Sequence, residues 1–124
     1  MTPTDLLNAF LAIYPSFGDD RAAETAVSHG YWDDEPDFQR IVMTFCQFFG
    51  VAAPTATPQQ LMETAKLVND AMDTGGDLEI AVSTGLLEHL HQINGTKFLL
   101  PHLSERAKHE LREQGRLKDV LDDR

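Results

Sequence analysis

The chain has 124 residues, 42% of them apolar, with twenty acidic and ten basic residues for a net charge of −10. That size fits one domain, residues 1–124, with enough core to fold without disulfides or metal. It excludes a disulfide scaffold, since Cys46 is the single cysteine, and a strongly acidic surface repels nucleic acid and anionic lipid.

The charge is unevenly placed. Residues 104–124 hold six bases and six acids, so residues 1–103 carry the whole excess, with only Arg21, Arg40, Lys66 and Lys97 as bases. Such a field attracts basic partners at long range. An acidic surface also serves solubility alone. No apolar run approaches the ~20 residues that cross a bilayer. Met1-Thr2-Pro3-Thr4-Asp5 lacks the positive flank of a signal peptide. A cytoplasmic protein is the expectation.

In chain order, Thr2-Pro3 reads as N-cap and first helical residue, and Leu6, Phe10 and Tyr14 recur at helical spacing until Pro15. Asp19-Asp20 would cap a second helix through Ala22, Ala23, Ala26 and Val27 to Gly30. Tyr31 to Glu35 reads as a connector, and Pro36 as the start of a third helix. There Phe38, Ile41, Val42, Phe45 and Phe49 form a core stripe, and Gly50 suits a C-terminal cap. Thr57-Pro58-Gln59-Gln60 is a capping box opening a fourth helix (Leu61, Ala65, Val68, Met72) that ends at Gly75-Gly76. Asp77 would cap a fifth helix through Ile80, Ala81, Leu87 and Leu90 to about Ile93, closed by Asn94-Gly95. Leu78, Val82 and Leu86 make it apolar on a second side, so it is the expected central helix. Leu103-Ser104 opens a last helix carrying Ala107 and Leu111, with Gly115 as a point of interruption. No stretch alternates with period two. The expected fold is all-α, a compact bundle of about five to six mostly antiparallel helices, with a helical-repeat stack as its variant.

Catalytic motifs are missing from the sequence. His89 and His91 point to different faces of a helix, His102 and His109 are seven apart, and His29 stands alone. A small metal-dependent enzyme would need His89, His91, His102 or Glu88 to converge, which the spacing does not suggest. Cys46, between Thr44-Phe45 and Gln47-Phe48, reads as a buried structural thiol. The expectation is a non-enzyme with no cofactor, metal, nucleic-acid or membrane partner, as monomer or homodimer.

Candidate partner-binding residues fall in two groups. Tyr31, Trp32, Asp33, Asp34, Glu35 and Asp37 combine large aromatics with acids at a helix entry, a composition suited to an interface with Lys or Arg of a partner. The competing reading packs Trp32 inward while the acids favour the helix N-terminus. Asp70, Asp73, Asp77 and Glu79 bracket Gly75-Gly76, where a solvated turn is the plain alternative. The two groups would form one surface if those helix ends lie together.

The run from Gly75 to Leu90, with Ala81-Val82-Ser83-Thr84-Gly85-Leu86-Leu87-Glu88-His89-Leu90 at its heart, resembles a family of small acidic all-helical bacterial domains of uncharacterised function. That family looks like the immunity partners of polymorphic toxins delivered by type VI or contact-dependent systems. Leu100-Pro101-His102-Leu103-Ser104 is similar to its ending, a Pro-x-Leu-Ser segment opening the last helix. The resemblance covers the C-terminal half and assigns no functional residues. It implies an immunity protein that binds and occludes a basic cognate toxin in the cytoplasm. Thr84 and Glu88, four apart, would join the binding surface if exposed, or bond helix to helix if not. The alternative is a helical adaptor or chaperone, for instance in a secretion system, holding a partner helix in an apolar groove.

Overall fold

The computed structural model describes residues 1–19 and 37–122. The expected second helix, and with it Tyr31, Trp32, Asp33, Asp34 and Glu35, lies outside the described residues. The fold is all-α: six α-helices and no strand among the described residues.

Helix α1 (Pro3–Ile13) begins with a reciprocal cap, since Asp5 N–H donates to Thr2 Oγ1 (3.1 Å) and Thr2 N–H to Asp5 Oδ2 (2.9 Å). Those bonds to Thr2 favour the carboxylate and hold the Asp5 pKa below its usual value. A 3₁₀ turn (Pro15–Asp19) then turns Phe17 into the core. Helix α2 (Phe38–Ala52) starts later than expected at Pro36, capped by Asp37, whose Oδ1 accepts from Arg40 N–H at 2.9 Å. Its apolar stripe meets α1 in an aromatic cluster. Phe10 stacks on Phe45 with centroids 3.8 Å apart, and Tyr14 and Phe17 close on Phe45 and Phe48 edge-on or tilted. Each such pair contributes about 0.5–1.5 kcal/mol beyond burial.

Gly50 does not end α2, which runs on to Ala52. It serves packing instead, because a Cβ there would stand 3.0 Å from Ile93 Cβ. Helix α3 (Pro58–Thr74) opens on the expected capping box, Gln60 N–H to Thr57 Oγ1 at 3.0 Å and Thr57 N–H to Gln60 Oε1 at 2.9 Å. The Gln60 side chain also donates to the Ile13 carbonyl (3.0 Å), tying α3 to the end of α1. Gly75 and Gly76, at φ 77° and 69°, turn the chain straight into α4 (Gly76–Val82). The expected cap at Asp77 is therefore not made. Gly75 is the cap position, no side chain caps the helix, and Asp77 lies in its first turn.

Helix α4 does not continue regularly to Ile93. It widens into a π-turn (Ser83–Leu87), closed by Glu88 N–H to the Ser83 carbonyl at 2.9 Å, followed by turns to Asn94. Asn94, at φ 58°, with Gly95 N–H donating to the Leu90 carbonyl, ends this arm as expected. A short helix α5 (Thr96–Leu99), which sequence pattern did not suggest, leads through a 3₁₀ turn (Leu100–His102) to α6 (Glu105–Asp122). Ser104 Oγ caps α6 at Ala107 N–H (3.1 Å), and the helix passes Gly115 without a break.

Helix α4 is central. Leu78, Ala81, Val82, Ser83, Leu86 and Leu87 are all buried. On one side α2 runs parallel to it, pairing Gln39 with Thr84, Val42 with Gly85 and Gly50 with Ile93. On another α6 also runs parallel, with Arg106 on Glu79 (2.7 Å) and Glu110 on Ser83 (2.6 Å). Helix α3 is the antiparallel neighbour, joined through the tight glycine turn. No described helix is long and apolar enough to cross a membrane.

An acidic face on the central helix

Residues 77, 80 and 84 are spaced by three and four along α4 and the entry of the π-turn, and so share its outer face. Ile80, expected in the core stripe, is on this face and 58% exposed. The reason is phase: Leu78, Ala81 and Val82 point into the bundle on both sides, and Ile80 lies between them on the remaining arc. Asp77 beside it is exposed. Thr84 is half-buried at the seam with α2. Its hydroxyl lies 2.8 Å from the Ile80 carbonyl and 3.1 Å from the Gln39 side-chain amide. This contact ties the first turn of α2 to the start of the π-turn. Asp37, two residues before Gln39, is exposed and caps α2. In sequence, Asp37 is the last of the acids that begin at Asp33.

Of the two acidic groups, Asp77 is exposed on this arc with Ile80, and Asp37 is exposed at the start of α2. The other candidates are deployed differently. Asp70 lies 3.2 Å from Lys66 one helical turn away, an exposed pair worth only a few tenths of a kcal/mol. Asp73 is exposed in the last turn of α3. Glu79 turns toward α6, to Arg106. Glu88 lies beyond the π-turn, which replaces the α-helical spacing that would have aligned it with Thr84, and its Oε2 is 3.3 Å from His89 Nε2. Ile80 is the residue that sequence reasoning missed as a surface group. Its spacing from Asp77 and Thr84, both polar, was the available signal.

A second feature lies on the other side of the α2 seam. Met43, Cys46, Gln47, Gly85, His89 and Ile93 border a cleft of about 220 Å³. Its groups are already engaged: His89 Nδ1 is 2.9 Å from Gln92 Oε1 and Nε2 faces Glu88. Burial pushes the Cys46 thiol up to about 11, so at neutral pH it is a protonated packing group and not a thiolate. Among the described residues, no three His, Cys, Asp or Glu side chains come together as metal ligands. The outer face of α4 carries an exposed carboxylate, Asp77, and an exposed aliphatic side chain, Ile80, on one helical arc. Comparison of the chain with protein-family models, curated proteins and solved structures finds no match in any of the three.

Proposed function

We propose that this protein is an immunity protein, which binds a basic toxin in the cytoplasm and neutralises it by covering its working surface. The observation that carries the reading is the outer face of α4, where Asp77 and Ile80 are exposed, in a chain of net charge −10. It is built largely from the Gly75–Leu90 run that resembles the immunity family. Complementary charge speeds encounter, and a few desolvated contacts then hold the complex. An inhibitor of this kind acts by occupancy and needs no reactive groups of its own. The adaptor alternative asks for a contiguous apolar groove. Among the described residues the exposed large apolar side chains, Met1, Met43, Val51, Met62, Ile80 and Leu100, come from separate elements apart from two on α2.

The test is co-expression with the product of the adjacent upstream gene, scored by growth and by pull-down at low and high salt. Protection with a salt-sensitive stoichiometric complex is expected. Replacing Asp33, Asp34 and Asp37 together by lysine is expected to slow association about tenfold or more at low ionic strength. A harmless upstream product that forms no complex would sink the immunity reading.

A further inference from the structure

We propose that the cleft bordered by His91, Asn94, Thr96 and Lys97 binds a small molecule through its phosphate or carboxylate group. The inference stands apart from the immunity reading, since none of these residues enters it.

The cleft, of about 230 Å³, lies where the chain turns into α5. Asn94 N–H donates to the His91 carbonyl at 3.1 Å, and that tight turn, with Asn94 at φ 58°, gathers the four side chains around one hollow. The cleft at the α2 seam and another along α3 have their polar groups already in use. In the first, His89 faces Gln92 and Glu88. In the second, Gln59 donates to Glu63 (2.6 Å), Lys66 pairs with Asp70 and Asn69 holds the His102 carbonyl. At the α5 cleft the groups are unspent. Lys66, Arg106 and Lys108 each meet a carboxylate, whereas Lys97 meets none among the described residues and has only the Phe98 ring, 5.3 Å from its Nζ. Among the described residues, Thr96 Oγ1 is the one buried side-chain polar atom without a hydrogen-bond partner. Buried polar groups are nearly always bonded, so this orphan needs a reason. Threonine has two χ1 positions open to it in a helix, and a ligand in the cleft that Thr96 borders would give its hydroxyl an acceptor. Together the four side chains supply an ammonium, an imidazole, an amide and a hydroxyl, and no described carboxylate borders the hollow. That set of donors fits an oxyanion. The net charge of −10 does not cancel it, because exposed charges beyond about 8 Å are largely screened at 0.15 M salt. The volume is below the roughly 300 Å³ where pockets for drug-sized ligands begin, so the ligand is small.

The test is a titration of the ¹⁵N-labelled full chain with inorganic phosphate and, separately, with acetate, at constant ionic strength made up with chloride. Saturable shifts of the Asn94, Thr96 and Lys97 amide signals are expected, with a Kd of about 1 mM, the range of a few exposed charge-assisted bonds. Tighter binding of phosphate would assign a phosphate ester, and tighter binding of acetate a carboxylic acid. Lys97→Ala should weaken binding about tenfold and Lys97→Arg should retain it. The unmoved amide signals report that each variant is folded. Thr96→Val gives a readout that a structural role would not. It removes a hydroxyl that the fold leaves unpaired, so the urea midpoint should hold or rise while anion affinity falls. Shifts no larger than chloride alone produces, or full affinity in Lys97→Ala, overturn the proposal. So does a Thr96→Val variant that binds as before or unfolds at lower urea.

Discussion

Gly85 sits where α2 and the π-turn approach most closely, and adding one carbon there tests the architecture around the α4 face. A Cβ on Gly85 would meet Val42 Cγ1 at 3.0 Å, Val42 Cβ at 3.3 Å and Gln39 Nε2 at 3.4 Å. Val42 is fully buried, and its β-branched side chain has essentially one rotamer available in a helix, so it has nowhere to go. Overpacking of this kind costs about 1–3 kcal/mol. Replacing glycine by alanine within helical backbone returns up to about 1 kcal/mol. The net expectation for Gly85→Ala is a loss of about 1 kcal/mol, read as a lower urea midpoint with an unchanged slope. Val42→Ala removes the obstructing methyl groups at a cost of about 2 kcal/mol for the lost burial. In the double variant the new Cβ occupies part of that space, so the two losses should fall short of additivity by about 1 kcal/mol. An unchanged or raised urea midpoint, with additive energies in the double variant, would refute the close parallel packing on which the face depends.

Other expectations follow from single contacts. Thr64 gives its one hydroxyl proton to the Gln60 carbonyl (2.7 Å), so Tyr14 is the donor in the buried 2.8 Å bond to Thr64. Tyr14→Phe should cost about 1 kcal/mol in urea unfolding, and a change within ~0.3 kcal/mol would contradict that bond. Asn69 accepts from Ser104 N–H (2.8 Å) and donates to the His102 carbonyl (3.2 Å), stapling α3 to the entry of α6. Asn69→Ala should cost about 2 kcal/mol and speed hydrogen exchange at the Ser104 amide; unaltered exchange there would argue against the staple. Burial raises the Cys46 thiol from 9.0 to about 11, so the unfolded thiol ionises first as pH rises. Its contribution is complete below pH 9 and fades toward pH 11. Tyr14, raised from 10.0 chiefly by burial, adds a loss of the same sign above pH 10. Urea midpoints at pH 7, 9 and 10.5 should fall in that order, and Cys46→Ala should flatten the step nearest pH 9. Native Cys46 should also react with thiol reagents at pH 8 far more slowly than the unfolded chain; equal rates would place it at the surface.

Caps and stripes are legible in the amino-acid sequence alone. The Thr2 and Thr57 boxes, the stripe Ile41, Val42, Phe45 and Phe49, the Gly75-Gly76 turn and the central burial of Leu78, Val82 and Leu86 depend on neighbours within a turn or two. Local hydrogen bonds and 3.6-residue periodicity encode such features directly. The acids suited to binding a partner can be named on the same local grounds, but not sorted. Whether Glu79 is free or held by Arg106, and whether Thr84 is surface or seam, depends on residues 27 and 45 positions away. The same is true of Gly50, which looks like a cap in the chain until Ile93 arrives against it, and of Gly85, which meets Val42. The π-turn at Ser83–Leu87 has no signature in the spacing of apolar residues. Ile80 has the chemistry of a core residue, yet Leu78, Ala81 and Val82 already fill the arcs facing the bundle. Helix positions came from contacts near in sequence; which arc of the central helix stays exposed came from the helices packed around it.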